Sequence, residues 1–214
     1  MIWFDPLKFS VGIYNKPKRE IGIRNFFNAG YFGLESGGNT VCGANLATDG
    51  IILRSSKDFA TWSGLYNKEL TTLIVKQDGS VDFGKTNNLG EIPDLRAALS
   101  GMPILKEGEE VSLSKDILPE GYDISPLYET WHGFLTYQGP NLLYIGAYTG
   151  YGNYVSKDNA IKSTTVMANL LKQLGCSNTV IKLDGGGSYL LKIGGKEVAG
   201  TGENRRINSI GMFE

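Results

Sequence analysis

Short apolar runs separated by glycine-containing turns constrain this fold more than any other feature of the sequence. The chain has 29 glycines in 214 residues, and they follow no collagen-like period. The clearest turns pair glycine with a second turn-forming residue, and they lie at Asp49-Gly50, 77–80, 138–140 and Gly194-Gly195. Because such turns join neighbouring antiparallel strands, the sequence predicts a protein built largely of β-hairpins.

One segment, 163–174, has the helical spacing of a buried apolar face, and Gly175 would end that helix. Its predicted buried residues are Val166, Met167, Leu170, Leu171 and Leu174. A second, shorter helix is predicted over 93–99, with Pro93 at its first position. The predicted fold class is therefore α+β, a single domain over 1–214 with a mixed, largely antiparallel sheet and one main packed helix.

Composition and charge limit the classes of function. The 21 basic and 22 acidic side chains give a net charge of −1, which argues against binding of a nucleic acid polymer. Two cysteines, Cys42 and Cys176, are too few for a disulfide framework or a cysteine-rich metal site, although one bridge stays open. His132 has no second histidine with which to bind zinc, so we predict no zinc site. We assign no metal ligand and no cofactor, and a requirement for a divalent ion stays open.

The amino terminus has no basic start followed by a long apolar segment, and no stretch is long enough to cross a membrane. These features predict a cytoplasmic protein without a membrane partner, or a secreted one if a signal has been removed. Residues 107–130 are acidic and contain proline, so we expect an exposed insertion or flap there. The oligomeric state stays open.

The strongest candidate site follows a buried strand over 180–183. Asp184 comes directly after this strand, and three glycines and a serine follow it, namely Gly185, Gly186, Gly187 and Ser188. Glycines let main-chain N–H groups point together and let a ligand approach the backbone, so an anionic or hydroxyl-rich ligand is expected. The alternative is a tight hairpin in which Asp184 caps its own turn.

Three further segments carry candidate ligand-binding residues. Asn28, followed by Gly30 and Tyr31, combines an amide with aromatic rings, as sugar and base sites often do. His132 is the only histidine, and histidine is the side chain that ordinarily changes charge near neutral pH, although a lone histidine is more often structural. Arg205 and Arg206 would face opposite sides of the last strand, and we assign Arg205 to the site.

The order of these segments resembles the phosphodiester glycosidase family, which includes the uncovering enzyme that removes N-acetylglucosamine from phosphodiester-linked glycans. The resemblance rests on five segments: 28–32, 99–105, a helix ending at 174–176, Leu-Asp-Gly-Gly-Gly-Ser at 183–188, and Arg205 before an apolar carboxyl terminus. It implies a phosphodiester-glycosidase-like domain that hydrolyses a sugar phosphodiester. It also adds Gly101 to the substrate-binding residues, beside Gly30, Tyr31, His132 and 185–188.

The chemistry of this reaction assigns roles to three of these residues. Asp184 would stabilise an oxocarbenium-like centre or activate water, Arg205 would receive the departing phosphate, and Asn28 would orient sugar hydroxyls. Glu35, Glu91 and Glu203 are all candidates for a second carboxylate. The expected partner is a small-molecule or glycan phosphodiester. The alternative is a protein that binds a nucleotide-like phosphodiester without cleaving it, or that hydrolyses a nucleotide sugar or a nucleotide signal.

Overall fold

The computed structural model describes residues 1–30, 32–34, 40–42, 44–59, 65–111, 131–148 and 157–214, without the side chains of 32–34, 40–42 and 157–164. Two residues singled out from the sequence, Tyr31 and Glu35, lie outside this described part, and so do residues 112–130 of the predicted flap.

The described strands form three antiparallel sheets and one two-stranded ribbon. The six-stranded sheet has the order β1 (Ile2–Phe4), β14 (Asn141–Tyr148), β13 (Trp131–Gln138), β15 (Val180–Lys182), β11 (Met102–Lys106) and β12 (Glu109–Glu110). A five-stranded sheet contains β7 (Ile51–Arg54), β6 (Leu46–Thr48), β10 (Leu95–Ser100), β8 (Leu70–Lys76) and β9 (Val81–Thr86). The other five-stranded sheet contains β17 (Lys196–Gly200), β16 (Leu190–Ile193), β3 (Phe26–Asn28), β18 (Arg206–Met212) and β2 (Ser10–Pro17). The ribbon pairs β4 (Phe32–Leu34) with β5 (Thr40–Cys42).

The α+β class and the four hairpins predicted from glycine turns are confirmed. Strands β6 and β7, β8 and β9, β13 and β14, and β16 and β17 are each antiparallel neighbours. At the first of these turns both central residues are left-handed, with φ of 48° at Asp49 and 76° at Gly50, as a type I′ hairpin turn requires. The prediction placed these hairpins in a single sheet, whereas the structure distributes them over three sheets.

The short helix predicted over 93–99 is wrong, because this segment enters strand β10. Its alternate residues Ala97 and Leu99 pack into the central core, while Leu95 and Ala98 pack into a separate cluster on the other face. A strand that is buried on both faces loses the apolar alternation by which strands are recognised, and its alanines and leucines then imitate a helix.

The main helix, α1, spans Lys157–Gln173 and so begins six residues earlier than predicted. Met167 and Leu171 are buried as expected, together with Ala168. The prediction was wrong for Val166, Leu170 and Leu174, which are exposed. Over 165–173, where its side chains are described, the helix therefore contacts the protein along a narrow stripe of its surface. Among the described residues, no helix is both long enough and apolar enough to cross a membrane.

Two apolar clusters cover the two faces of the six-stranded sheet. One is central and takes side chains from all three larger sheets, including Phe27, Leu99 and Tyr144. The other lies between the opposite face of the sheet and α1 and includes Phe134 and Met167. Burial on both faces holds β15 rigidly, and the candidate site begins where this strand ends.

Two glycines on facing strands make room for two buried tyrosines in the central core. Gly133 and Gly146 pair across β13 and β14. A Cβ built on Gly133 would lie 2.8 Å from the hydroxyl of Tyr144, and one on Gly146 would overlap the hydroxyl of Tyr189. The two rings therefore occupy space that side chains at these positions would fill.

Candidate functional site

Asp184 lies where the six-stranded sheet meets the sheet that contains β3. The N–H of Leu183 donates to the carbonyl of Gly133 at 2.8 Å, and the N–H of Asp184 donates to the carbonyl of Ala29 at 2.9 Å. The chain is thus hydrogen-bonded to a different sheet on each side. This arrangement fixes the backbone of Asp184, whose side chain remains half-buried.

The carboxamide of Asn28 is buried and supports Asp184 from β3. Its Nδ2 donates to the main-chain carbonyl of Asp184 at 2.6 Å and lies 3.5 Å from the carboxylate Oδ2. Its Oδ1 accepts the N–H of Leu190 at 3.3 Å. Both ends of the amide are therefore bound within the protein, which favours a positioning role over the predicted contact with sugar hydroxyls.

The glycine segment forms a single 3-10 turn, Gly186–Ser188. Gly186 has φ of 54°, a conformation that L side chains rarely adopt, so glycine is needed there. The N–H of Ser188 donates to the carbonyl of Gly185 at 3.1 Å. In contrast, the N–H groups of Gly186 and Gly187 donate to none of the described residues, so they are available to a bound oxygen atom.

Arg205 lies against this turn, and its neighbour in sequence does not. A Cβ built on Gly187 would lie 2.6 Å from Nε of Arg205 and 2.7 Å from Oε2 of Glu203. Glu203 forms an ion pair with Arg205, and the two side chains are 56% and 62% exposed. Arg206 instead donates from Nη1 to the carbonyl of Asn15 at 2.8 Å.

Sequence reasoning missed a buried lysine beneath the turn. The Nζ of Lys18 donates to the carbonyls of Gly187 and Tyr189, each at 2.9 Å, and to Oγ1 of Thr201 at 2.7 Å. Lys18 follows a proline in a segment typical of an exposed turn, and its three acceptors lie about 170 or more residues away. No local pattern could have indicated this contact.

His132 is fully buried on the strand beside β15. In the register of these strands Phe134 pairs with Lys182, and continuing it by two residues puts His132 opposite Asp184. Lys182 was also missed from the sequence. It is buried, and its Nζ donates to the carbonyl of Leu183 at 3.2 Å. The imidazole has no exposed surface through which it could contact a ligand in this structure.

Gly30 and Gly101, both predicted to bind substrate, lie at close contacts inside the protein. A Cβ on Gly30 would lie 2.6 Å from that of Ala44, and the N–H of Gly30 donates to Oγ of Ser209 at 3.0 Å. A Cβ on Gly101 would lie 2.6 Å from the carbonyl of Lys182. Packing alone accounts for glycine at both positions.

The described candidates for a second carboxylate lie in different places. Glu203 lies beside Arg205 at the glycine turn. Glu91 is exposed at the end of a 3-10 turn after β9, where its Oε1 accepts a hydrogen bond from Nδ2 of Asn88 at 2.8 Å. Of these two, Glu203 is the carboxylate that the structure brings to the glycine turn.

Cys176 is a free thiol, so the bridge to Cys42 that the sequence left open does not form. Burial raises the pKa of the Cys176 thiol. Within the described part of the chain, no three His, Cys, Asp or Glu side chains come together where they could hold a metal ion.

The fold is similar to that of two solved structures. One is the catalytic domain of zebrafish N-acetylglucosamine-1-phosphodiester alpha-N-acetylglucosaminidase, auto-inhibited by its pro-peptide, with a TM-score of 0.63 and 16% identity over 98% of this chain and 74% of that one. The other is a hypothetical protein from Synechocystis, with a TM-score of 0.53 and 14% identity over 97% of this chain and 57%, less than two thirds, of that one. At such identities the likeness shows the fold alone. No protein-family model matches the chain, and no curated protein matches it in sequence.

Proposed function

We propose that this protein hydrolyses the glycosidic bond of a sugar 1-phosphodiester. The observation that carries the proposal is the arrangement of Asp184, a carboxylate on a fixed backbone, directly before a glycine turn against which Arg205 lies. The similarity in fold to the zebrafish glycosidase domain agrees with this reaction class.

In the proposed reaction the bond between the anomeric carbon and the phosphate oxygen breaks. The leaving group is a phosphate monoester, which is stable as an anion and needs little help from a general acid. The developing positive charge at the anomeric carbon would be stabilised by the carboxylate of Asp184. This carboxylate either attacks the carbon, giving a glycosyl ester that water then hydrolyses, or accepts a proton from a water molecule that attacks the carbon directly.

The departing phosphate would be bound by Arg205 and by the N–H groups of the glycine turn. A guanidinium matches two phosphate oxygens, and the N–H groups of Gly186 and Gly187 donate to none of the described residues. Because Glu203 pairs with Arg205 on an exposed surface, the phosphate would compete with this carboxylate for the guanidinium. We therefore propose that Glu203 competes with the phosphate for Arg205, in preference to a role as the second catalytic carboxylate.

The proposed partner is a small-molecule or glycan phosphodiester and not a nucleic acid polymer, in keeping with the net charge of −1. The proposed reaction uses no cofactor. His132 and Asn28, both buried, are proposed to support the site from behind and not to touch the sugar.

A turnover assay by mass spectrometry tests the proposal. Wild type and Asp184→Asn are incubated with sugar 1-phosphodiesters, nucleotide sugars, and cyclic and dinucleotide phosphodiesters. Asp82→Asn is a matched control, because Asp82 is an exposed carboxylate on β9. We expect wild type and the control to release a free sugar from a sugar 1-phosphodiester and Asp184→Asn to release none. Release by Asp184→Asn at the wild-type rate would refute the assignment.

A second candidate function, binding or hydrolysis of a nucleotide-like phosphodiester, is favoured by an aromatic pair. The rings of Trp131 and Tyr148 lie 4.7 Å apart, and Trp131 also stacks at 5.2 Å on Tyr189, which directly follows the glycine turn. Tyr148 is 60% exposed and so offers a surface to a base. If a nucleotide co-elutes with the protein and remains intact, binding of a nucleotide-like phosphodiester replaces glycosidase activity as the proposed function.

A further inference from the structure

The ammonium group of Lys18 lies beneath the glycine turn and uses all of its hydrogen-bonding capacity there. Lys18 is 0% exposed. Its three acceptors are the carbonyls of Gly187 and Tyr189 and the hydroxyl of Thr201, at 2.9, 2.9 and 2.7 Å. An ammonium has three N–H donors, so each one has an acceptor.

Two more hydrogen bonds join the residues around Lys18 and the turn. The hydroxyl of Thr201 donates to the carbonyl of Gly187 at 2.9 Å, so Lys18, Thr201 and Gly187 form a closed triangle. The main-chain N–H of Lys18 donates to the carbonyl of Arg205 at 3.0 Å. One residue therefore holds both the glycine turn and the backbone of the arginine that lies against it.

The peptide between Tyr189 and Leu190 connects Lys18 to Asp184. Its carbonyl accepts from Lys18, and its N–H donates to Oδ1 of Asn28 at 3.3 Å. Nδ2 of Asn28 in turn donates to the carbonyl of Asp184 at 2.6 Å. A shift of this peptide would therefore move the side chain of Asn28 and, with it, the backbone of Asp184.

We propose that Lys18 is the positioning residue of this site and that its charged form, by holding three acceptors at once, keeps Asp184 and the glycine turn in their active arrangement. The inference rests on the proposed function. Lys18 touches no substrate in this scheme and acts only through Asn28 and the turn.

The charge of Lys18 can change within an accessible range of pH. Burial lowers its pKa to about 8. Glu197 and Glu203 raise this pKa and Arg19 and Arg205 lower it, but their effects are smaller than that of burial. A neutral amine has two N–H donors and one lone pair, so one of the three oxygens would lose its donor. Above pH 8 the site should therefore loosen.

The first test compares kcat and KM of wild type, Lys18→Met and Lys192→Met from pH 6 to 10 with a sugar 1-phosphodiester. Lys192 is a matched control, since its Nζ also donates to a main-chain carbonyl, that of Ile21, at 3.0 Å. We expect kcat of wild type and the control to fall with a midpoint near pH 8. Lys18→Met should have a kcat at least about tenfold lower and no such fall. A Lys18→Met variant that retains the fall would overturn the proposal.

A milder variant covers the case in which Lys18→Met does not fold. Thr201→Val keeps the ammonium and removes one of its acceptors, which disfavours the charged form. The midpoint of the fall in kcat should therefore move to lower pH. An unchanged midpoint, or one at higher pH, would contradict the positioning role.

A second measurement needs no substrate. In NMR spectra of the unliganded protein, the side-chain amide of Asn28 and the main-chain amide of Leu190 should titrate with a midpoint near pH 8, and this titration should be absent from Lys18→Met. If the protein turns over no sugar 1-phosphodiester, the proposed function is refuted. The NMR titration still decides whether Lys18 controls the position of Asn28. Amides that do not respond between pH 7 and 9 would overturn the proposal.

Discussion

Asn28 and Asp184, which are 156 positions apart in the sequence, are joined by a carboxamide whose Nδ2 lies 2.6 Å from the main-chain carbonyl of Asp184 and 3.5 Å from its carboxylate. The same amide accepts the N–H of Leu190. Asn28 thus links the segment that follows β15 to β16, the strand that follows the glycine turn. Both the fold and the site should depend on it.

Replacing Asn28 by alanine should therefore affect stability and turnover together. The change removes the acceptor of the buried N–H of Leu190 and a donor to the carbonyl of Asp184. Each such loss costs about 1–3 kcal/mol, so the two together should lower the free energy of unfolding by roughly 2–6 kcal/mol. Chemical denaturation measures this change. Asn204→Ala is the control, because Asn204 is exposed and, among the described residues, accepts a hydrogen bond from the N–H of Arg19 alone. A loss of stability as large in that variant would contradict the predicted role of Asn28.

Of the glycines in the turn, we expect Gly186 to be needed for the fold and Gly187 to be needed for the site. Gly186 has φ of 54°, so Gly186→Ala should lower stability by about 1–2 kcal/mol. The three atoms nearest to a methyl group at Gly187 would belong to the exposed side chains of Arg205 and Glu203, which can move away. Gly187→Ala should thus keep its melting temperature and instead raise KM, because Arg205 is displaced. Thermal denaturation and steady-state kinetics of both variants check this division, and a Gly187→Ala variant with unchanged KM would count against a role for Arg205.

Removal of the carboxylate beside Arg205 should strengthen phosphate binding. Exposed ion pairs are worth about 0–1 kcal/mol, so Glu203→Gln should lower KM for a phosphodiester by at most about fivefold and leave kcat within a factor of two. The control is Glu197→Gln, whose carboxylate pairs with Arg19 and not with Arg205 but, like that of Glu203, raises the pKa of Lys18. Both variants are assayed at pH 6, where Lys18 stays charged. A fall in kcat of about a hundredfold in Glu203→Gln would instead identify Glu203 as the second catalytic carboxylate.

The sequence predicts the local parts of this fold well, because local chemistry determines them. An Asp-Gly pair between two strands strongly favours the left-handed backbone of a two-residue hairpin turn, and the hairpin at Asp49-Gly50 is found as predicted. Strand β10 was predicted as a helix because its residues are apolar on both faces, a property that comes from its central place in a sheet. That place depends on neighbours far away in the sequence.

The site shows the same division between local and distant causes. Asp184 and the glycines form one continuous motif, so their proximity could be predicted. The orientation of the Asn28 amide could not be predicted, since its partners Asp184 and Leu190 lie on either side of the glycine turn, more than 150 residues from Asn28. Lys18 is the extreme case, because a lysine is almost never fully buried unless it is paired, and all three of its partners are distant in the chain.

The pH dependence of stability separates a positioning role for Lys18 from a purely structural one. Burial lowers the pKa of Lys18 in the folded protein to about 8, whereas the lysine of an unfolded chain keeps a pKa near 10.5. Between these two values the unfolded chain binds more protons than the folded one, so the free energy of unfolding rises with pH. Relative to Lys18→Met, wild type should gain at most about 3 kcal/mol between pH 7.5 and 10.5.

Turnover should change in the opposite direction over the same range, because the neutral amine no longer holds all three oxygens. Denaturant titrations at several pH values, made on wild type and Lys18→Met beside the kinetic profiles, therefore test both effects with the same two proteins. If Lys18 served the fold alone, kcat would not fall where stability rises. A wild type that loses stability relative to Lys18→Met as pH rises would contradict the lowered pKa itself, and with it the explanation of the fall in kcat.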